Sequence, residues 1–105
     1  MNFPENQSPE ACLEAVKQDG FALKHVKEQT EEICLEAVKE NGLALIYVKE
    51  QTEEICLEAV KQYGSVLEYV KKQTEEICLE ACLKMGEIKY VRSPKMRAVL
   101  KVMMI

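Results

Sequence analysis

The strongest constraint on this chain is an internal repeat. The segment that begins at Thr30 returns almost unchanged at Thr52 and again at Thr74, each time 22 residues later, and an earlier copy begins at Ser8. A period in this range indicates stacked copies of one supersecondary unit rather than one irregular globule. The sequence therefore predicts an array in which each unit packs only against its neighbours.

Each unit is predicted to begin with an α-helix. In the copy at 30–51, Thr30 suits the N-cap position because its hydroxyl can accept a free backbone N–H of the first turn. Glu31 and Glu32 follow, where negative charge meets the positive end of the helix dipole. On a helical wheel the apolar residues cover a wide arc with Cys34 at its centre. So wide an arc is typical of a helix that lies between two copies of itself.

A glycine and a short apolar run complete the unit. Gly42 is expected to end the first helix in the left-handed conformation, and the glycines at 20, 64 and 86 stand at matching places. The run from Leu43 to Val48 predicts a second, shorter helix, although a strand also fits so short a run. The predicted fold class is all-α, a short α-solenoid of helix-turn-helix repeats with a C-terminal capping helix. We expect an N-terminal cap segment over 1–7, repeats over 8–29, 30–51, 52–73 and 74–92, and the capping helix over 93–105.

Composition narrows the classes of function. The chain has 105 residues, and its 14 basic and 18 acidic residues give a formal net charge of −4. This charge argues against general nucleic-acid binding, which needs a broad positive surface, and no apolar run approaches the roughly 20 residues that span a bilayer. We therefore expect no membrane association and no small-molecule substrate.

The cysteines predict buried free thiols. Cys12, Cys34, Cys56 and Cys78 occupy one slot of the repeat, and Cys82 is the fifth. Equivalent helices of stacked units lie about 8–10 Å apart, which is too far for a disulfide or a shared zinc ion. An odd number of cysteines without a secretory signal favours a reducing compartment, so we expect a cytoplasmic protein.

Candidate catalytic chemistry is sparse. Cys78 and Cys82, four residues apart on one helix, could share a soft metal ion, but two thiolates alone make a poor site. His25 is the only histidine and stands where other units have tyrosine, and the glutamate pairs are explained by helix capping. The prediction is therefore that the chain is not an enzyme and has no catalytic, cofactor-binding or metal-binding residues.

The segment Leu35–Val48 resembles the unit of an uncharacterised helical-repeat family, L-x-A-V-K-x-N-G-x-A-L-x-Y-V, which is catalogued as a domain of unknown function. The resemblance covers roughly residues 10–91. Departures are Asp19 and Tyr63 at the Asn41 position, His25 at the Tyr47 position, and Cys82-Leu83 in place of Val-Lys. The resemblance implies an array of short helices and brings no catalytic residues with it.

Recognition is predicted at the slots that differ between units. These slots group around the turn and the short helix, as in Gln18/Glu40/Gln62 and Lys24/Ile46/Glu68. The candidate partner surface comprises Phe21, Lys24, His25, Asn41, Leu43, Ile46, Tyr47, Tyr63, Glu68 and Tyr69.

Two functions follow from this surface. The first is a non-enzymatic scaffold or interaction module that binds another protein or its own copy. The alternative is a nucleic-acid-binding repeat that uses the tyrosine row and the basic C-terminal segment. A thiol-based metal or redox protein is a third and weaker interpretation.

Overall fold

A computed structural model describes residues 7–104 of the chain, and within that range every regular element is helical. The α-helices are α1 (Pro9–Gln18), α2 (Glu31–Glu40), α3 (Glu53–Gln62), α4 (Glu75–Met85) and α5 (Pro94–Met103). The 3₁₀ helices are η1 (Gly20–His25), η2 (Gly42–Tyr47) and η3 (Gly64–Tyr69). The predicted N-terminal cap segment, residues 1–7, lies outside the described residues except for Gln7.

The first helix of each unit begins as its sequence predicts. The hydroxyl of Thr30 accepts a hydrogen bond from the backbone N–H of Ile33 at 3.2 Å, and Thr52 and Thr74 do the same for Ile55 and Ile77. Each cap satisfies one backbone N–H that the first turn leaves unpaired. Two glutamates then occupy the first turn of α2, α3 and α4.

The helices form two layers. Helices α1 to α4 pack side by side in chain order as an α layer, and η1 to η3 stack as a 3₁₀ layer against it. Each 3₁₀ helix contacts the α-helix before it and the α-helix after it, which joins successive units. The result is an elongated body of 50 × 19 × 15 Å. The predicted all-α solenoid is confirmed.

The core lies between the two layers and repeats with the units. From unit 30–51 it takes Ile33, Cys34, Ala37 and Val38 of the α-helix and Ala44, Leu45 and Val48 of the second half. Leu45 and the equivalent Leu23 are fully buried, and each such side chain stabilises the fold by about 1.5–3 kcal/mol. The wide apolar arc predicted for α2 is thus buried in this core.

The second half of the unit is a 3₁₀ helix, and its burial repeats every three residues. Leu43, Ile46 and Lys49 are exposed, whereas Leu45 and Val48 are buried. Residues three apart eclipse one another in a 3₁₀ helix, so this spacing gives one buried and one exposed edge. The predicted short helix is confirmed, and its 3₁₀ form is a finding of the structure.

The left-handed conformation expected at the repeat glycines is wrong for three of them. Of the glycines, only Gly86 has a positive φ, 79°. Gly20 and Gly42 begin 3₁₀ helices that approach the next α-helix closely: a Cβ on Gly20 would lie 2.5 Å from the carbonyl oxygen of Ala37. At these positions glycine is required by close packing rather than by a special dihedral angle.

The last unit ends differently from the others. Helix α4 runs one residue longer than α2 and α3, to Met85, and Gly86 closes it in the left-handed conformation. No 3₁₀ helix follows it within the described residues. Ser93 instead caps α5, whose Leu100 is fully buried, and the Arg97 guanidinium donates to the carbonyl oxygens of Ile88 and Val91 at 3.1 and 3.0 Å.

Replacing glycine with asparagine distinguishes a glycine required by close packing from one that adopts the left-handed conformation. We expect Gly42→Asn to lower the free energy of unfolding by about 1–3 kcal/mol, because its Cβ would lie 3.0 Å from the Ala59 carbonyl oxygen and 3.1 Å from the Gln62 side chain. Gly86→Asn is the matched control: asparagine tolerates the left-handed conformation, and nothing lies within 4 Å of a Cβ there. Chemical denaturation measures both, and equal losses would contradict the close-packing explanation.

Candidate functional site

The candidate partner residues lie in or beside the 3₁₀ layer. Among them, Ile46 is 48% exposed, Tyr63 46% and Tyr69 49%, and Leu43 reaches 37%. We call these four the 3₁₀ patch; they lie on or next to the adjacent helices η2 and η3. The polar candidates Lys24, His25 and Glu68 are also exposed, whereas Phe21, Asn41 and Tyr47 are half-buried.

The half-buried aromatic residues support the patch from within the layer. The rings of Phe21 and Tyr47 meet edge to face, with centroids 6.1 Å apart and planes at 85°. This arrangement is favourable for two aromatic rings, and it joins η1 to η2. Tyr47 is therefore used largely in packing, while the equivalent Tyr69 is more exposed.

Asn41 has a structural role that explains its place in the unit. Its side-chain oxygen accepts the backbone N–H of Leu43 at 3.0 Å, and Asp19 does the same for Phe21. These contacts cap the start of η2 and η1. The equivalent Tyr63 makes no such cap and its ring stands exposed.

One variable slot was wrongly interpreted as free for recognition. Glu40 accepts the backbone N–H of Gly20 at 2.7 Å, and Gln62 accepts that of Gly42 at the same distance. Gln62 also donates to the carbonyl oxygen of Val38 at 2.7 Å. These side chains tie the end of one α-helix to the preceding unit. Glutamate and glutamine can both accept here, which is why the slot varies.

A glutamine before each α-helix makes a contact that the sequence analysis missed. The Gln29 amide donates to the Tyr47 carbonyl oxygen at 2.8 Å and accepts the Lys49 N–H at 3.0 Å. It thus joins the loop before α2 to the loop after η2. The set Gln7, Gln29, Gln51 and Gln73, which we call the glutamine clamps, repeats these contacts in every unit. Its invariance between units was the available signal.

The four cysteines that share one slot of the repeat contact the glutamine clamps. We call Cys12, Cys34, Cys56 and Cys78 the cysteine ladder. The Cys34 thiol donates to the Gln29 side-chain oxygen at 3.4 Å, and the equivalent pairs span 3.6 to 3.7 Å. All five cysteines are buried and free, as predicted. No group of three or more histidine, cysteine, aspartate or glutamate residues between 7 and 104 is placed to hold a metal ion.

The thiols of the ladder are held in the protonated form. Burial, with a smaller effect of the nearby Glu31 carboxylate, raises the pKa of Cys34 to about 11. Burial and Glu53 raise the pKa of Cys56 to about 11 in the same way. Burial and Cys82 raise the pKa of Cys78 to about 11, against an opposing effect of Arg92. Protonated thiols are poor nucleophiles and poor metal ligands.

Basic residues at the ends of successive units donate hydrogen bonds to the backbone of the unit before. The Lys49 ammonium donates to the Lys27 carbonyl oxygen at 3.3 Å, and Lys71 donates to that of Lys49 at 3.4 Å. Arg92, in the corresponding place of the last unit, donates to the carbonyl oxygens of Val70 and Lys71. Arg92 and Arg97, both in the predicted basic C-terminal segment, therefore use guanidinium N–H groups to bind backbone carbonyl oxygens.

Shallow clefts open where successive loops meet the helix N-termini. Two equivalent clefts, of about 310 and 360 Å³, are lined by the clamp glutamines, the capping threonines and the first-turn glutamates. Every buried side-chain nitrogen and oxygen in the described range has a hydrogen-bond partner. At these clefts the clamp glutamines bind backbone groups of the loops, and the capping threonines accept backbone N–H groups of the helix starts.

A glutamine clamp is expected to stabilise the stack. Gln51→Leu leaves the Lys71 N–H, the Tyr69 carbonyl and the Cys56 thiol without their partner, so we expect a loss of about 1–3 kcal/mol in the free energy of unfolding. Gln18→Leu is the control, because Gln18 is exposed and should change stability by less than about 0.5 kcal/mol. Urea denaturation of both variants checks this, and a neutral Gln51→Leu would refute the clamp.

The raised thiol pKa values predict loss of stability in alkali. A folded-state pKa near 11 against 9.0 for an ordinary thiol means that the folded state retains protons which the unfolded chain releases. This contribution is fully present below pH 9.0 and is lost as the pH rises toward 11. The melting temperature should fall less steeply over this window in Cys34→Ala/Cys56→Ala/Cys78→Ala, which shares every lysine and tyrosine with the parent. An equally steep fall of the melting temperature with pH in the parent and the variant would contradict this prediction.

The repeat seen in the structure corresponds to a known family model. The model described as domain of unknown function (DUF4116) matches three overlapping stretches, residues 8–52, 30–73 and 52–97. No curated protein and no solved structure gives a significant match. From Gln7 to Met104 every helix is too short or too polar to cross a lipid bilayer. The three matches together span most of the chain, and the chain therefore belongs to the DUF4116 family.

Proposed function

We propose that this chain is a non-enzymatic repeat scaffold that binds another protein through the 3₁₀ patch. The observation that carries the proposal is the exposure of Ile46, Tyr63 and Tyr69, each about half exposed in or beside the 3₁₀ layer. Exposed aromatic and aliphatic side chains grouped on one surface are typical of protein-binding sites.

Comparison of the units supports this choice of surface. The slot of Ile46 holds Lys24 in the first unit and Glu68 in the third, and all three side chains are exposed. The slots that face the core hold nearly the same residues in every unit, as Leu23, Leu45 and Leu67 do. Stacking therefore does not require an apolar residue at Ile46, and binding to a partner would explain one.

The contacts of the remaining polar groups support a scaffold over an enzyme. Asp19 caps η1, and the glutamine clamps and the Glu40 slot are bonded to backbone. The thiols are buried and protonated. These residues hold the stack together, which is the function we assign to them. Five free thiols also suit a reducing compartment, and we propose a cytoplasmic location.

The nucleic-acid alternative has weaker support. Arg92 and Arg97 donate to backbone carbonyl oxygens, so fewer of their N–H groups remain to contact phosphate. Tyr47 meets Phe21 edge to face within the layer, which leaves its ring less available for stacking on a base.

Site-specific photo-crosslinking tests the proposal. We expect p-benzoylphenylalanine in place of Ile46, irradiated in extract of the native source, to give a discrete adduct with one protein. The same amino acid in place of Glu50, exposed on the adjoining loop, should not give it. Mass spectrometry identifies the adduct. Adding Leu43→Lys and Tyr69→Lys, both at exposed positions, should abolish it by placing charge in the interface.

Three results would overturn the protein-binding proposal. One is equal labelling from positions 46 and 50, and another is an adduct that persists in the lysine variant. The third is an adduct with nucleic acid, which would establish the alternative. Circular dichroism of each variant confirms that the helices are retained.

A further inference from the structure

Helix α5 presents an apolar face to solvent. Val99, Val102 and Met103 are 43, 70 and 52% exposed, although Leu100 of the same helix is fully buried. A surface helix normally places polar residues outward. With apolar residues on both sides, α5 has the composition of a helix that is covered on both sides.

The charge of α5 indicates the kind of surface that covers it. The helix carries Lys95, Arg97 and Lys101 and no acidic residue. Helices α1 to α4 carry twelve glutamates and four lysines, a net charge of −8. The same chain thus contains a positive apolar helix and a strongly negative layer, and opposite charges favour their association.

The α layer also offers apolar surface between its charges. One leucine from each helix packs against the core and keeps part of its side chain exposed, and we call Leu13, Leu35, Leu57 and Leu79 the leucine row. A groove of about 280 Å³ between α1 and α2 is lined by Leu13 together with Glu10 and Glu32. In α4 the row is extended by Leu83, which is 64% exposed where the other units have lysine.

The outer face of α5 is placed to meet another molecule. Leu100 anchors α5 to the core of its own chain, and Arg97 holds it to the preceding loop. With that side occupied, Val99 and Val102 face away from their own solenoid. We propose that α5 of one copy docks on the leucine row of a second copy, and that the reciprocal contact closes a symmetric dimer.

The size of the contact favours a reciprocal arrangement. A ten-residue helix is about 15 Å long, which limits the area that a single docking can bury. Two reciprocal dockings double that area, toward the roughly 1,200–2,000 Å² that specific interfaces bury. Twofold symmetry supplies the second contact without any further sequence. This dimer uses surfaces other than the 3₁₀ patch, so it stands independently of the proposed function.

Sedimentation velocity of the full chain over a wide concentration range tests the dimer. We expect a monomer–dimer equilibrium that weakens as salt rises. Val102→Glu, at a position 70% exposed, should raise the dimer Kd by at least about tenfold. Lys24→Glu, an exposed change in the 3₁₀ layer, is the control and should leave the equilibrium unchanged.

Charge changes on the two surfaces make the test specific to them. Lys95→Glu/Lys101→Glu changes the net charge of α5 from +3 to −1, and Glu54→Lys/Glu76→Lys changes that of helices α1 to α4 from −8 to −4, at four exposed positions. The helix variant should be monomeric, because a negative helix then meets a negative layer. The layer variant should dimerise more weakly than the parent, because the attraction between the two surfaces is reduced.

Several outcomes would overturn the dimer. A parent chain that stays monomeric at every concentration is one, and a dimer insensitive to Val102→Glu is another. A helix variant that dimerises as strongly as the parent also counts against it. Flotation with vesicles of phosphatidylserine and phosphatidylcholine covers the rival occupant: a monomer that binds them through Val102 would show that a lipid surface covers α5 instead.

Discussion

The structure depends on the close approach of each 3₁₀ helix to the α-helix of the next unit. The backbone N–H of Gly20 donates to Glu40, and that of Gly42 donates to Gln62, both at 2.7 Å. A side chain on either glycine would meet a backbone carbonyl oxygen of the neighbouring helix. This contact sets the spacing of the units, and the two layers and the core between them follow from that spacing.

Glutamine and cysteine side chains, which the sequence analysis did not recognise as contacts between units, join successive units of the stack. The glutamine clamps join loops of successive units through backbone groups, and the ladder thiols add a weaker hydrogen bond to the same amides. The glutamine amides thus satisfy backbone N–H and carbonyl groups whose burial without a partner would be costly. The loops are therefore ordered without large hydrophobic residues of their own.

Much of this architecture could be predicted from the repeat, and the remainder could not for physical reasons. Thr30 as a cap, Cys34 as a core residue and the short second helix follow from local chemistry and periodicity. The role of Gly42 does not, because a glycine that allows close approach and one that adopts positive φ look alike in sequence. Glu40 was misjudged because its partner is a backbone group twenty residues away. The candidate surface was found only as a set of variable slots, and its exposed members needed coordinates.

The cation contacts give the stack a direction. Lys49 reaches back to a carbonyl oxygen of the unit before it, Lys71 does the same, and Arg92 continues the series. Each unit of the array therefore receives a hydrogen bond from a basic side chain of the next unit, and the last unit would lack such a donor. Arg97 of α5 supplies that donor to Ile88 and Val91. Helix α5 thus takes the place of a fifth repeat: it supplies the cationic donor that a following unit would otherwise provide.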